Sequence, residues 1–176
     1  MSGVFEKLSI VMFPRRCRQC GEVVAFDEEL CEECQIEKRI TGKTCPKCGR
    51  EQKDCVCQKQ HFSPGYKAVC APFYFRNAVA RGVYRLKNNG YTELVPVMAD
   101  AMTETVKERF ADVTFDTVTF VPMTWFRRYR RGYNQAQLLA EAVAERLGIP
   151  CNALLKKKRH TRSQRLSTAE QRRVNL

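Results

Sequence analysis

The chain has 176 residues, with 31 Lys plus Arg against 19 Asp plus Glu, and 10 cysteines. An apolar fraction of 44% is enough for a core and excludes wholesale disorder, and no apolar run approaches the roughly 20 residues of a membrane span. The apolar stretch Val4 to Phe13 is short, broken by Glu6 and Lys7, and lacks a small-residue cleavage site, so no export signal is read and the expected location is cytoplasmic.

In a reducing compartment ten cysteines do not imply disulfides. Eight of them lie between Cys17 and Cys57, as Cys17-x2-Cys20, Cys31-x2-Cys34, Cys45-x2-Cys48 and Cys55-x-Cys57. Each C-x2-C turn points two thiolates at one centre, and two turns complete a tetrahedral four-thiolate site of the kind that selects Zn2+. Gly21 and Gly49 directly follow Cys20 and Cys48, where such a knuckle turns through positive φ. Two structural zinc sites are read: Cys17, Cys20, Cys31 and Cys34, then Cys45, Cys48, Cys55 and Cys57. A crossed pairing of the four pairs is open on spacing alone, as is His61 replacing one cysteine of the cramped second site. Cys70 and Cys151 read as small core hydrophobes.

The predicted organisation is an N-terminal segment and double zinc ribbon over 1–60, a linker over 61–68, and an α/β unit over 69–176. Val69 to Phe75 predicts a strand. Asn77 predicts the cap of a helix with Val79, Val83 and Leu86 inward, stopped at Asn88-Asn89-Gly90. Thr92 predicts the cap of the next, with Leu94, Val95, Met98, Met102 and Val106 inward and Pro96 tolerated in its first turn. Thr117 to Val121 predicts a buried strand, and Met123 to Tyr133 an arginine-rich loop. Asn134 or Gly132 opens a helix with Leu139, Ala140, Val143 and Leu147 inward, closed by Gly148. A short strand over 151–155, a basic loop over 156–164 and a final helix opened by Ser167 complete the pattern.

Charge follows the same division. Residues 1–64 carry 11 basic and 10 acidic groups, whereas residues 116–176 carry 13 and 4. Strand, arginine loop, helix and strand form a βαβ unit, hence a parallel pair with a right-handed crossover. The loop lies at the carboxyl end of its strand beside a helix N-terminus, where Arg127, Arg128, Arg131 and Asn134 are the candidate phosphate or pyrophosphate contacts. Trp125, Tyr129 and Tyr133 either stack on bases or pack beside the strand end, and packing is the expectation. No nucleophile, general base or carboxylate pair stands out, and His61 and His160 read as surface residues.

The lead-in Phe13-Pro14-Arg15-Arg16-Cys17, the knuckles Cys17-Arg-Gln-Cys20-Gly21 and Cys45-Pro-Lys-Cys48-Gly49, the helix Arg81 to Gly90, and above all Arg131-Gly-Tyr-Asn-Gln-Ala136 resemble the ComF family of competence proteins. The resemblance extends over essentially the whole chain. It implies a double zinc ribbon followed by a phosphoribosyltransferase-type parallel-sheet domain, a cytosolic protein linked to DNA uptake, and binding of 5-phosphoribosyl 1-pyrophosphate (PRPP) with Mg2+. The same enzymes carry a strand ending in two acidic residues and a Thr-Thr-Gly turn, which these 176 residues lack. The expectation is therefore an N-terminal piece of that architecture, an incomplete sheet domain not catalytically complete as it stands, with Mg2+ and PRPP bound only if the remainder exists. Two further readings are a zinc-stabilised adaptor for single-stranded DNA and a protein-interaction module whose partners include other competence proteins.

Overall fold

A computed structural model describes residues 12–37, 39–57 and 65–157. Five helices are present among them: α1 (Glu32–Ile36), α2 (Asn77–Asn88), α3 (Leu94–Arg109), α4 (Trp125–Arg131) and α5 (Gln135–Leu147). A 3-10 turn spans Gln52–Asp54. Pairing between extended segments is limited, among the described residues, to three isolated bridges: Arg16 with Val23, Thr44 with Glu51, and the parallel Val118 with Cys151. No described helix is long and apolar enough to cross a membrane.

The helices follow their local chemistry. α2 buries Ala78, Val79, Gly82 and Leu86 along one stripe. It stops where Asn89 leaves helical geometry and Gly90 takes φ +71°. Asn77 does not cap it; it sits at φ +45°, in the left-handed region that Asn tolerates. Glu93, not Thr92, precedes α3. Pro96 falls in the first turn of α3, where its missing N–H has no intrahelical partner to lose. α5 opens on Asn134, whose side-chain oxygen accepts from the Ala136 N–H at 3.1 Å, and closes on Gly148 at φ +68°.

α3 and α5 form the main helix–helix interface. Leu86 of α2 joins them in a cluster with buried Leu94 and Val95 of α3, with Tyr91, Met98, Tyr133, Leu138, Leu139 and Ala142 around them. Arg146 of α5 crosses the seam to the Asp100 carboxylate and to the Pro96 carbonyl oxygen of α3.

Two expectations are corrected. Residues 69–75 form no strand. Their apolar side chains and backbone are spent on the ribbons instead, through Val69 N–H to Pro46 O at 2.9 Å, Ile40 N–H to Pro72 O at 2.8 Å and the Tyr74 hydroxyl to Asp54 at 2.8 Å. The segment 123–133 is no loop but contains α4, ended by Gly132 at φ +86°.

The expected pair 117–121 and 151–155 does run parallel across α5, but as one bridge with no sheet beyond it among the described residues. Val118 N–H meets Pro150 O and Asn152 N–H meets Val118 O, both at 2.9 Å. Elsewhere the Thr117 and Thr119 hydroxyls take the ladder positions, donating to Pro150 O and accepting from Leu154 N–H. Threonine hydroxyls competing for backbone partners, with Pro150 and Pro122 removing donors, keep the ladder short. The final helix expected from Ser167, together with His61 and His160, lies outside the described residues.

Candidate metal centres and the arginine segment

The two C-x2-C-Gly knuckles are built identically, 28 residues apart. Cys17 N–H meets Glu22 O at 2.7 Å and Gly21 N–H meets Cys17 O at 2.8 Å; Cys45 N–H meets Arg50 O at 2.7 Å and Gly49 N–H meets Cys45 O at 2.8 Å. Gly21 and Gly49 take φ +74° and +72°. These turns aim the backbone N–H groups inward and hold each cysteine pair on one side. The second halves differ. Cys31 and Cys34 flank the start of α1, whereas Cys55 and Cys57 follow the 3-10 turn.

The structure brings the eight cysteines into two tetrads, Cys17, Cys20, Cys31, Cys34 and Cys45, Cys48, Cys55, Cys57, with all ligand atoms of a tetrad within 4.8 Å of one another. The uncrossed pairing is the one realised. Zn–S bonds of about 2.3 Å in a tetrahedron require sulfur atoms about 3.8 Å apart. Cys20 Sγ and Cys31 Sγ are 3.5 Å apart, and Cys48 Sγ and Cys55 Sγ 3.9 Å. The donor sets fit zinc, and all ten cysteines are free thiols.

Electrostatics supports that fit. Burial works to raise the Cys17 thiol, but the backbone N–H groups of Cys31, Cys20 and Gln19 outweigh it and bring it to about 7. The Lys47 N–H and the Cys55 thiol bring Cys45 to about 7 as well. Three neighbouring thiols move the other way: burial pushes Cys20 up to about 11, hydrogen bonding to Cys48 pushes Cys57 up to about 12, and Cys34 is raised by burial and by Cys17. Four sulfurs this close cannot all ionise by themselves, and a bound cation inverts that logic.

The tetrads are set differently in the fold. Cys17 and Cys20 are fully buried and Cys34 nearly so, whereas all four cysteines of the second tetrad are half-buried. The first tetrad is keyed to α2. Ala78 packs with Cys17, Cys20 and Cys34. A Cβ on Gly82 would stand 2.3 Å from the Gln19 carbonyl oxygen. Arg85 donates to Gly21 O and pairs with Glu22, Arg81 pairs with Glu33, and the Tyr91 hydroxyl donates to Cys17 O at 3.2 Å. The second ribbon holds residues 66–74 through the Tyr66 hydroxyl to Lys47 O at 2.7 Å and through Val69 against Gly49. Between the ribbons, Arg39 reaches Glu104, Ala101 O and Thr105 of α3, and Arg109 donates to Ile40 O.

The four expected phosphate contacts gather around α4 and the start of α5. Arg128 is exposed and Arg127 is half-buried and engaged within the protein. Arg131 is half-buried and donates to the Gln135 side chain, and burial lowers its pKa. Asn134 is buried and committed twice, capping α5 and donating to Val121 O at 3.1 Å. Its role in the structure is to fix the entry to α5. Arg130, an arginine of the same segment though not among the four expected contacts, is exposed on α4 beside Arg128. Of the aromatics, Tyr133 packs in the core and donates to Leu86 O, as expected. Trp125 and Tyr129 are not buried beside the strand end; they are 77% and 82% exposed, and Trp125 meets the Phe126 ring edge to face.

A ribbon duplicated at a fixed offset, each copy closing on four cysteines, defines the class, and the double zinc ribbon domain family matches residues 8–72. Two curated relatives extend the similarity beyond the ribbons. Competence protein ComFC of Bacillus subtilis is 28% identical over 126 residues, 66% of this chain and 52% of that protein. Competence protein F of Haemophilus influenzae is 29% identical over 175 residues, 93% of this chain and 75% of that protein. The matched region thus spans about half of the first relative and three quarters of the second. No solved structure gives a significant match. The chain is thus similar to ComF competence proteins over most of its length, and its residues 8–72 match a double zinc ribbon.

Proposed function

We propose that this chain is a zinc-binding, competence-linked protein whose α4–α5 segment binds a phosphorylated ligand of the PRPP or pyrophosphate type. The observation that carries the reading is the parallel Val118–Cys151 bridge with α4 and α5 between its two arms. A crossover of this kind puts α4 beyond the carboxyl end of residues 117–121 and beside the N-terminus of α5, where phosphate groups are held in open α/β units. Arg128 and Arg130 present exposed guanidinium forks there, and Arg131 and Asn134 hold the turn between the helices. The names of the two relatives support the link to competence.

Transfer chemistry is not assigned to these 176 residues, which contain no acidic pair followed by a Thr-Thr-Gly turn. The assignment is ligand binding, with Mg2+ accompanying the pyrophosphate. Titration calorimetry of PRPP or pyrophosphate with Mg2+ tests it. Saturable binding that weakens by about tenfold or more in Arg128→Ala/Arg130→Ala is expected if both guanidinium groups face the ligand. Binding that is absent, or unmoved by the double substitution, contradicts it.

A second reading, single-stranded nucleic acid, is favoured by one specific observation: Trp125 and Tyr129 are exposed on the same short helix as Arg128 and Arg130. Aromatic faces interleaved with arginines suit stacked bases and a phosphate backbone. Affinity for an oligothymidylate that falls steeply with salt and drops in Trp125→Ala/Tyr129→Ala supports this reading, and affinity unchanged by that pair sinks it.

A further inference from the structure

We infer that the first cysteine tetrad, when metal-loaded, holds the arginine helix α4 in place through α2, and that the second tetrad has no such hold. The inference needs metal in the tetrads and does not depend on which ligand α4 binds.

Three contacts carry it. First, the knuckle 17–21 meets α2 at the level of its backbone. The Gln19 carbonyl oxygen lies so close to Gly82 that no larger residue fits, and the carbonyl oxygens of Gly21 and Cys17 accept from Arg85 and Tyr91. Second, the Leu86 carbonyl oxygen of α2 accepts the Tyr133 hydroxyl, while the buried Leu86 side chain shares a cluster with Tyr133, Leu138 and Leu139. Third, Tyr133 directly follows Gly132, whose N–H closes α4 on Arg128 O at 2.7 Å. Tyr133 is thus a positioning residue: it fixes where α4 ends without being one of its exposed groups.

Knuckles of this size keep their backbone shape through metal ligation rather than through a core of their own. Loss of ligation at Cys17 and Cys20 therefore frees the carbonyl oxygens that Gly82, Arg85 and Tyr91 rest on. The second ribbon rests instead on residues 66–74, through Tyr66, Val69 and Tyr74. α5 is also held to α3 without α2, through Arg146 to the Asp100 carboxylate and to Pro96 O.

The test is hydrogen exchange by mass spectrometry on the full chain during stepwise chelation, with zinc counted at each step, beside Cys20→Ser and Cys48→Ser. Amides of Arg128 and Gly132, which donate to Thr124 O and Arg128 O, report on α4. Loss of the first tetrad is expected to speed their exchange by about tenfold or more while α5 keeps its protection, and Cys48→Ser is expected to leave them unchanged. Tyr133→Phe is expected to raise their exchange with both zinc ions bound, without changing the zinc count. The inference is overturned if α4 exchange ignores the first tetrad, follows the second, or rises only together with that of α5. Unaltered α4 exchange in Tyr133→Phe overturns the route.

Discussion

Glycine at position 82 is costly on propensity grounds and required on steric ones. In a helix interior it gives up about 1 kcal/mol relative to Ala. Yet a Cβ there would meet the Gln19 carbonyl oxygen at 2.3 Å, and that backbone is held by the knuckle. Gly82→Ala is expected to lower stability by about 1–3 kcal/mol despite its better propensity, measured by thermal unfolding of the zinc-loaded chain. Gly148 makes the contrast. Open space surrounds its missing Cβ, but φ is +68°, so Gly148→Ala should cost only the left-handed penalty of about 1–2 kcal/mol. Asn134→Ala removes the α5 cap and leaves the Val121 carbonyl oxygen without its donor, and an expected loss of about 1–2 kcal/mol is checked by the same melts. The cap and the stop of α5 were legible because Asn and Gly declare them chemically. The contact at Gly82 was not: it depends on a partner 63 residues earlier in the chain, between Gln19 and Gly82.

At the scale of elements, the cysteine pairs of the ribbons were legible because metal ligation fixes spacing, and the 28-residue offset between knuckles repeats even their hydrogen bonds, but which pairs share a centre was not, since spacing is the same for crossed and uncrossed tetrads. α2, α3 and α5 were legible from apolar stripes. α4 was not, since seven residues span fewer than two turns and show no stripe; the signal was Gly132, a left-handed helix stop. Residues 69–75 misled for a different reason. An apolar, aromatic run reads as a strand whatever buries it, and here the ribbons do. Each tetrad also carries a pH prediction. Cys17 and Cys45 sit near 7, and Cys20 and Cys57 well above. Zinc binding must therefore displace protons, and lowering the pH favours the proton-bound, metal-free thiols. Zinc affinity is expected to fall by up to about tenfold per pH unit for each thiol that must lose its proton, followed by competition with a chromogenic chelator between pH 8 and 6. An affinity flat across that window would show that the thiols are not the ligands.

Across the whole molecule, charge and metal are segregated: the ribbons are nearly neutral, and residues 116–176 hold 13 basic groups against 4 acidic ones, out of a net charge of +12. The ribbons therefore read as the frame and the α4 region as the electrostatic footprint. A phosphate-bearing ligand should lose affinity as salt rises, and Arg128→Ala/Arg130→Ala should flatten that slope, followed by titration at 50 and 200 mM salt. Both halves of this picture depend on two metal ions per chain, each held by four sulfurs. Native mass spectrometry of the purified chain, paired with zinc-edge X-ray absorption, tests this most directly. The expected result is 20.4 kDa of protein carrying two zinc ions, with four sulfur neighbours at about 2.3 Å and no nitrogen or oxygen in the shell. One zinc per chain, or a mixed nitrogen and sulfur shell, would contradict it.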